Sequence, residues 1–233
     1  MRGSAGWECG LLYNVAMKIL ITAGPTREPI DQVRFIGNRS SGRLGIALAE
    51  HAAGMSHNVT LLLGPVGVEP PKQKHLRVMR FESTADLQQL LHEQFASHDV
   101  LIMAAAVADY SPVNFSEGKL PRLKDKSQTI NIELKPTADL VAGISATKHA
   151  GQKIVAFALE EESQLEKRAL EKMRRKGVDA IVANPLRTMD AATIEPTVYF
   201  ADNRPAEKPA GGEVSKRDFA AWLLKCVESM FSV

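Results

Sequence analysis

Residues 18–53 read KILI-TAGPTREPIDQVRFIGNRSSG-RLGIALAEHAA. The first four residues are a short apolar run rich in Ile and Leu, and the last eleven carry apolar residues at helical spacing. The pair therefore predicts a β-strand followed by an α-helix. Between them lies the polar stretch Thr22–Gly42. Strand-to-helix connections are normally a few residues long, and one of roughly fifteen or more is uncommon and usually functional. A strand feeding a glycine-bearing turn and then a helix is the common phosphate-binding arrangement of α/β folds, because helix N-terminal N–H groups and the helix dipole favour an anion. Neither G-x-G-x-x-G nor G-x-x-x-x-G-K-[ST] is present. The loop instead offers an amide at Asn38, hydroxyls at Ser40 and Ser41, close backbone approach at Gly42, and positive charge at Arg27, Arg34, Arg39 and Arg43. The competing reading is a long surface loop with a serine N-cap, Ser40 or Ser41, on a helix over Ser41–Ala53.

Working outward, apolar runs alternate with helical patterns. Strands are expected at Lys18–Thr22, Asn58–Leu63, Asp99–Val107, Ile130–Leu134, Lys153–Ala158, Ala180–Ala183 and Thr197–Phe200. Helices are expected at Thr84–Ala96, from about Thr137, at Ser163–Lys176 and at Ser215–Phe231. Unbroken runs such as DVLIMAAAV suit parallel strands covered on both faces. The alternation predicts an α/β fold with a doubly wound, mostly parallel, Rossmann-like sheet. Residues 111–128 and 185–214 break the pattern: the first is expected to form a loop or a small β extension off the main sheet, and the second holds the Thr197–Phe200 strand followed by a Pro/Gly-rich turn region. In the last helix Phe219, Trp222, Leu223 and Val227 form a stripe that reads as core.

The chain has 233 residues, 45% of them hydrophobic, which allows a substantial core in a single α/β domain over residues 17–233. Residues 1–16 (MRGSAGWECGLLYNVA) lack a signal-peptide core and read as a leader or tag ahead of Met17. With 29 basic and 27 acidic residues, the net charge of +2 argues against nucleic-acid or membrane partners. The two cysteines, Cys9 and Cys226, have no metal-ligand spacing, and their scarcity points to a cytoplasmic protein without a disulfide framework. No metal-ligating cluster is expected, nor is a Ser-His-Asp or Cys-His set evident.

The order T-x-G-x-T, P-I-D-x-V-R-x-I, G-N-R-S-S-G-x-x-G resembles the start of the phosphopantothenoylcysteine synthetase family. The likeness continues in A-A-A-V-A-D-Y-S-P at 104–112, Glu117-Gly118-Lys119, Lys135-Pro136-Thr137-Ala138-Asp139-Leu140, VAFALE at 155–160 and Ala183-Asn184, so that it covers about residues 17–230. The resemblance implies a ligase joining 4′-phosphopantothenate to L-cysteine through an acyl-nucleotide, with CTP or ATP as co-substrate and Mg²⁺ arriving on the triphosphate. In that scheme Asn38 and Lys119 are catalytic: Asn38 holds the substrate carboxylate and then the acyl-nucleotide, and Lys119 neutralises the triphosphate. Ser40, Ser41 and Gly42 take the phosphate of phosphopantothenate, and Ala183 and Asn184 lie on the substrate. Arg34 reaches a neighbouring subunit's site. Gly24, Ala105, Asp109, Phe157 and Lys124 serve the nucleotide, with Asp109 on the ribose hydroxyls and Phe157 beside the base. The family is usually dimeric and is often fused behind a flavin-dependent decarboxylase, which implies both a homodimer and that decarboxylase as a partner.

The sequence departs from the family where Lys119-Leu120 is followed by Pro121-Arg122 before Leu123-Lys124. The phosphate contact is thus left open among Lys119, Arg122 and Lys124. An NAD(P)-binding oxidoreductase shares the fold outline, but it lacks support from a glycine fingerprint and from an acidic residue ending the second strand, where NVTLLL runs into Gly64-Pro65. A non-catalytic nucleotide-binding subunit would require the glycine loop and Asp109 but not the pairing of Asn38 with Lys119.

Overall fold

The computed structural model describes residues 16–123, 125, 127–189 and 191–231; the expected leader and Lys124 lie outside the described residues, save for Ala16. Seven strands form the main sheet: β1 Lys18–Ala23, β2 Asn58–Leu63, β3 Leu76–Arg80, β4 Val100–Met103, β5 Lys153–Glu160, β6 Ala180–Pro185 and β7 Thr197–Phe200. Their spatial order is β7-β6-β5-β4-β1-β2-β3. All neighbours are parallel except β7, which runs antiparallel to β6. This is the doubly wound order in which the chain builds outward from β1 in one direction and from β4 in the other.

Side-chain alternation sorts the core into two layers. Ile19, Ile21 and Ala23 of β1, Val59 and Leu61 of β2, Val100 and Ile102 of β4, and Val182 of β6 face one way. They pack under α1 (Arg43–Gly54) and α5 (Lys216–Ser229). Leu20, Leu62, Leu101, Ile154, Ile181 and Ala183 face the other way, under α2 (Thr84–Phe95), α3 (Leu140–Ser145) and α4 (Leu165–Lys176). Burial on both faces explains why the central strands read as unbroken apolar runs. The α5 stripe is core as expected: Phe219, Leu223 and Val227 are fully enclosed, with the Trp222 ring 5.7 Å from that of Phe219.

Three two-stranded antiparallel pairs stand off the sheet: Arg27–Pro29 with Phe35–Gly37, Tyr110–Pro112 with Leu134–Pro136, and Thr193–Ile194 with Val214–Ser215. The expected off-sheet β extension is therefore present. Several boundaries differ from expectation. The strand expected at Asp99–Val107 ends at Met103, because residues 104–109 turn away to bond the segment after β1. The one expected at Ile130–Leu134 is confined to Leu134–Pro136. The helix expected from Thr137 begins at Leu140, where Asp139 accepts the Ala142 N–H as N-cap. Strand β3 was not anticipated, since LRVMR, on an edge, is short and its two arginines leave neither an apolar run nor a regular alternation. The edges are covered differently. β3 presents Arg77 and Arg80, while the outer side of β7 bonds Glu207 through reciprocal N–H···O contacts between Val198 and Glu207, both 2.9 Å.

Candidate active site

The connections diverge between β1 and β4, which leaves a crevice at their C-terminal ends, the usual ligand position in such sheets. Its first wall is the Thr22–Gly42 segment. Gly42, not a serine, is the N-cap of α1, in a left-handed conformation with φ 69°, and no side chain caps the helix. The serine N-cap expectation is thus corrected. A β-carbon at Gly42 would lie 2.9 Å from Val66 Cγ1 and would be strained by the positive φ, so the chain needs glycine to turn here. Ser40 Oγ accepts the Gly42 N–H at 3.3 Å. The uncapped first turn of α1 retains backbone donors facing the crevice mouth.

The second wall is residues 104–109, stitched to the first. Ala106 N–H donates to the Gly24 carbonyl at 2.9 Å and Thr26 N–H to the Ala106 carbonyl at 3.2 Å. Thr22 Oγ1 accepts from Ala105 N–H at 3.0 Å, and Thr26 Oγ1 accepts from Ala108 N–H at 2.9 Å. Asn38 Nδ2 donates to the Val107 carbonyl at 2.8 Å, which fixes the amide between the two walls. Beneath, Thr84 caps the arrangement: its N–H and hydroxyl both donate to buried Glu28, at 2.9 and 2.6 Å.

These walls enclose a cleft of about 710 Å³ whose lining includes Asn38, Ser40, Ser41, Gly42, Ala105, Asp109, Phe157 and Asn184. The family resemblance implies that these residues share one site, and the fold brings them together from four separate segments. Asn184, at the end of β6, is 7% exposed, and its Oδ1 has no hydrogen-bond partner among the described residues. A buried unpaired acceptor is costly unless a donor reaches it, so this oxygen is suited to an N–H of a bound molecule.

Other expected site residues lie elsewhere. Ala183 is fully buried, faces the α2–α4 layer and does not line the cleft. Gly24 does not line the cleft; its φ of 81° and the carbonyl bond to Ala106 shape the wall. Lys119 and Arg34 line a separate hollow of about 560 Å³ with Ile30, Leu120, Arg122 and Ile132. Arg34 pairs there with Asp31. Sequence reasoning missed two cations on the cleft, Lys172 of α4 and Lys216 at the start of α5. Lys172 sits 3.5 Å from Glu160. Among the described residues no group of three or more His, Cys, Asp or Glu side chains is placed to hold a metal. Nor, among those residues, is any helix long and apolar enough to cross a membrane.

Fold and cleft together define a doubly wound α/β domain with an anion-suited helix terminus on one side of its switch point and a carboxylate, an aromatic ring and a buried amide on the other. Residues 15–230 match the DNA/pantothenate metabolism flavoprotein C-terminal domain. The chain belongs to that family, the one whose phosphopantothenoylcysteine synthetase domains its motifs resemble. It is 34% identical over 216 residues to the coenzyme A biosynthesis bifunctional protein CoaBC of Bacillus subtilis, covering 91% of this chain and 51% of that protein. It is 44% identical over 170 residues to a protein named cysteine/cysteine sulfinic acid decarboxylase from an unknown prokaryotic organism, covering 73% of this chain and 46% of that one. The chain thus spans about half the length of these relatives. The crystal structure of the C-terminal domain of a CoaBC protein superposes with a TM-score of 0.75 at 34% identity, covering 92% of this chain and 95% of that one.

Proposed function

We propose that this domain is a phosphopantothenate–cysteine ligase that activates the carboxylate of 4′-phosphopantothenate with a nucleotide triphosphate, CTP or ATP. The observation that carries this reading is the convergence of Asn38 and the Ser40–Gly42 turn with Asp109, Phe157 and Asn184 on one cleft. A carboxylate is a poor acyl donor, because oxide would have to leave. Attack of its oxygen on the α-phosphorus forms an acyl-nucleotide as pyrophosphate departs. The cysteine amine then attacks the acyl carbon, and the nucleoside monophosphate leaves. Such chemistry depends on positioning and charge neutralisation rather than on a protein nucleophile.

The residues suit those tasks. The Asn38 amide is neutral and can bond oxygens of either the carboxylate or the acyl-phosphate. The α1 N-terminus with Ser40, Ser41 and Gly42 would take the phosphate of phosphopantothenate. Asp109 would accept from the ribose hydroxyls, Phe157 would flank the base, and the orphaned Asn184 Oδ1 would accept a ligand N–H. Mg²⁺ would be carried in by the triphosphate and keep most of its waters, as is usual at sites with few carboxylates. Lys119 and Arg34 sit in the neighbouring hollow and would serve the phosphates from there.

Ile130 and Ile132 of that hollow are exposed, as are Phe35, Tyr110, Phe115 and Leu134 on the off-sheet segments. Exposed apolar side chains on these segments support association, and a homodimer through the off-sheet segments is part of the proposal, as is partnership with a phosphopantothenoylcysteine decarboxylase. The decisive experiment is pyrophosphate release from CTP or ATP, measured with and without phosphopantothenate. Release that requires phosphopantothenate, followed by cysteine-dependent release of the monophosphate, is expected. Tight NADPH binding with no response to either triphosphate would overturn the reading.

A further inference from the structure

Asp31 is buried at the root of the first off-sheet pair, 3% exposed. Its two carboxylate oxygens have different duties. Oδ1 accepts the N–H groups of Val33 and Arg34, both at 2.7 Å, and so shapes the turn between Arg27–Pro29 and Phe35–Gly37. Oδ2 pairs with the Arg34 guanidinium and also accepts the N–H of Leu120 at 3.0 Å, a residue 89 positions away. Arg34 Nη1 in turn donates to the Leu120 carbonyl at 3.3 Å. The N–H and C=O of Leu120 are therefore held from one place, by the Asp31–Arg34 pair. A further backbone bond, Ser116 N–H to the Ile30 carbonyl at 3.1 Å, seats the same loop on the same turn.

We infer that Asp31 is a positioning residue that fastens the Lys119 loop to the Arg34 turn, so that the two cations are presented as one rigid body. Lys119 adjoins the fastened peptide directly, while its own side chain is exposed. Without the carboxylate, the lysine would be tethered only through flexible backbone, and the arginine would lose the partner that orients its fork. Burial alone would raise the Asp31 carboxyl, but the bonds from Leu120, Val33 and Arg34 outweigh it and hold the group far below the usual carboxylate range. The fastening is thus fully present above the ordinary value near ~4 and is lost only as pH falls through the much lower folded value.

Asp31→Asn separates the two duties, because the amide oxygen can still serve the Val33 and Arg34 N–H groups while the amide nitrogen cannot accept from Leu120. The seating of the loop can be read without any activity; the kinetic consequence rests on the proposed ligase function. In the wild-type protein the Leu120 amide is expected to exchange with deuterium at least ~10-fold more slowly than an unstructured amide. In Asp31→Asn that protection disappears, and trypsin cleaves Lys119–Leu120 and Arg122–Leu123 about tenfold faster. KM for the nucleotide rises about tenfold while KM for cysteine is unchanged. A wild-type Leu120 amide exchanging at the intrinsic rate would overturn the inference even if the variant failed to fold. So would unaltered cleavage and nucleotide KM, or cleavage accelerated everywhere in proportion to a lowered melting temperature. A wild-type protein without ligase activity would remove the proposed function and leave the exchange and cleavage outcomes to decide the role of Asp31.

Discussion

Replacing Gly45 with alanine tests how the crevice is held. Gly45 lies in the first turn of α1, directly over β1. A β-carbon there would stand 2.4 Å from Ala23 Cβ, 3.0 Å from the Thr22 carbonyl oxygen and 3.1 Å from Ala23 Cα. Carbon atoms in ordinary contact are about 3.5–4.0 Å apart, so α1 would have to retreat from β1 by roughly 1 Å. Every obstructing atom belongs to backbone or to a β-carbon, so no side chain can swing aside. Overpacking against atoms that cannot give falls in the upper part of the usual range, about 2–3 kcal/mol, against a gain of about 1 kcal/mol from alanine's helix propensity, leaving a net loss of ~1–2 kcal/mol. Gly54 closes the same helix and supplies the control, since its β-carbon would meet only Gln73 Nε2 at 3.6 Å. Gly54→Ala should be neutral or stabilising by up to about 1 kcal/mol. Urea titration of both variants would read the contrast, with Gly45→Ala also melting a few degrees lower, at about 2–4 °C per kcal/mol for a chain of this size. A Gly45→Ala protein as stable as the wild type would refute the reasoning, because the helix would then have room that the geometry denies it.

Asn38→Asp is expected to place a like charge beside the acyl-phosphate and slow cysteine-dependent turnover by about 10²-fold while the fold persists, read by rapid quench; unchanged turnover would remove Asn38 from the mechanism. Lys119→Gln should lose activity with circular dichroism unchanged while Arg122→Gln does not; equal losses would mean that the Pro121-Arg122 insertion has moved the role. His98 is buried, with Nδ1 2.7 Å from the Gln94 carbonyl and Nε2 3.0 Å from the Thr60 hydroxyl, contacts that suit the neutral ring. Burial lowers its pKa, outweighing the Gln94 carbonyl and Asp99, with Lys18 and Arg77 adding to the lowering. Its contribution to stability is therefore complete above an unfolded value of about 6.5 and is lost as pH falls through the lower folded value. The urea midpoint should drop on acidification across that window, and less so in His98→Asn; equal drops would assign the effect elsewhere.

The main sheet was legible because parallel strands enclosed on both faces must be largely apolar, and the middle stretches of β1, β2, β5 and β6 are. β3 escaped notice because an edge strand keeps one side in water, and Arg77 and Arg80 mask its period. The over-long reading of β4 has a related cause. Ala104–Val107 is as apolar as a strand, but its backbone bonds Gly24 and Thr26 instead of extending the ladder, a choice set by partners 80 residues away. At the site, residues next to strand ends were readable, and Asn38, Asp109, Phe157 and Asn184 do share one cleft. Ala183 and Asn184 are neighbours in sequence yet face opposite layers, as period two requires. Lys172 and Lys216 gave no signal, since a lysine on a charged helix looks like any solvated one until tertiary packing aims it. Gly42 displaced the expected serine cap because the turn needs a positive φ, which no count of hydroxyls reveals.

The closure of the two sheet edges bears on how the protein behaves in a crowded solution. A seven-stranded sheet with bare margins would be a template on which identical chains could stack strand upon strand. Here one margin carries guanidinium groups, and on the other the main-chain groups of Val198 are already engaged by Glu207. Stacking of copies strand upon strand is thereby disfavoured. Trimming the strip around Glu207 would bare part of a hydrogen-bonding margin and favour fibrous, strand-to-strand growth.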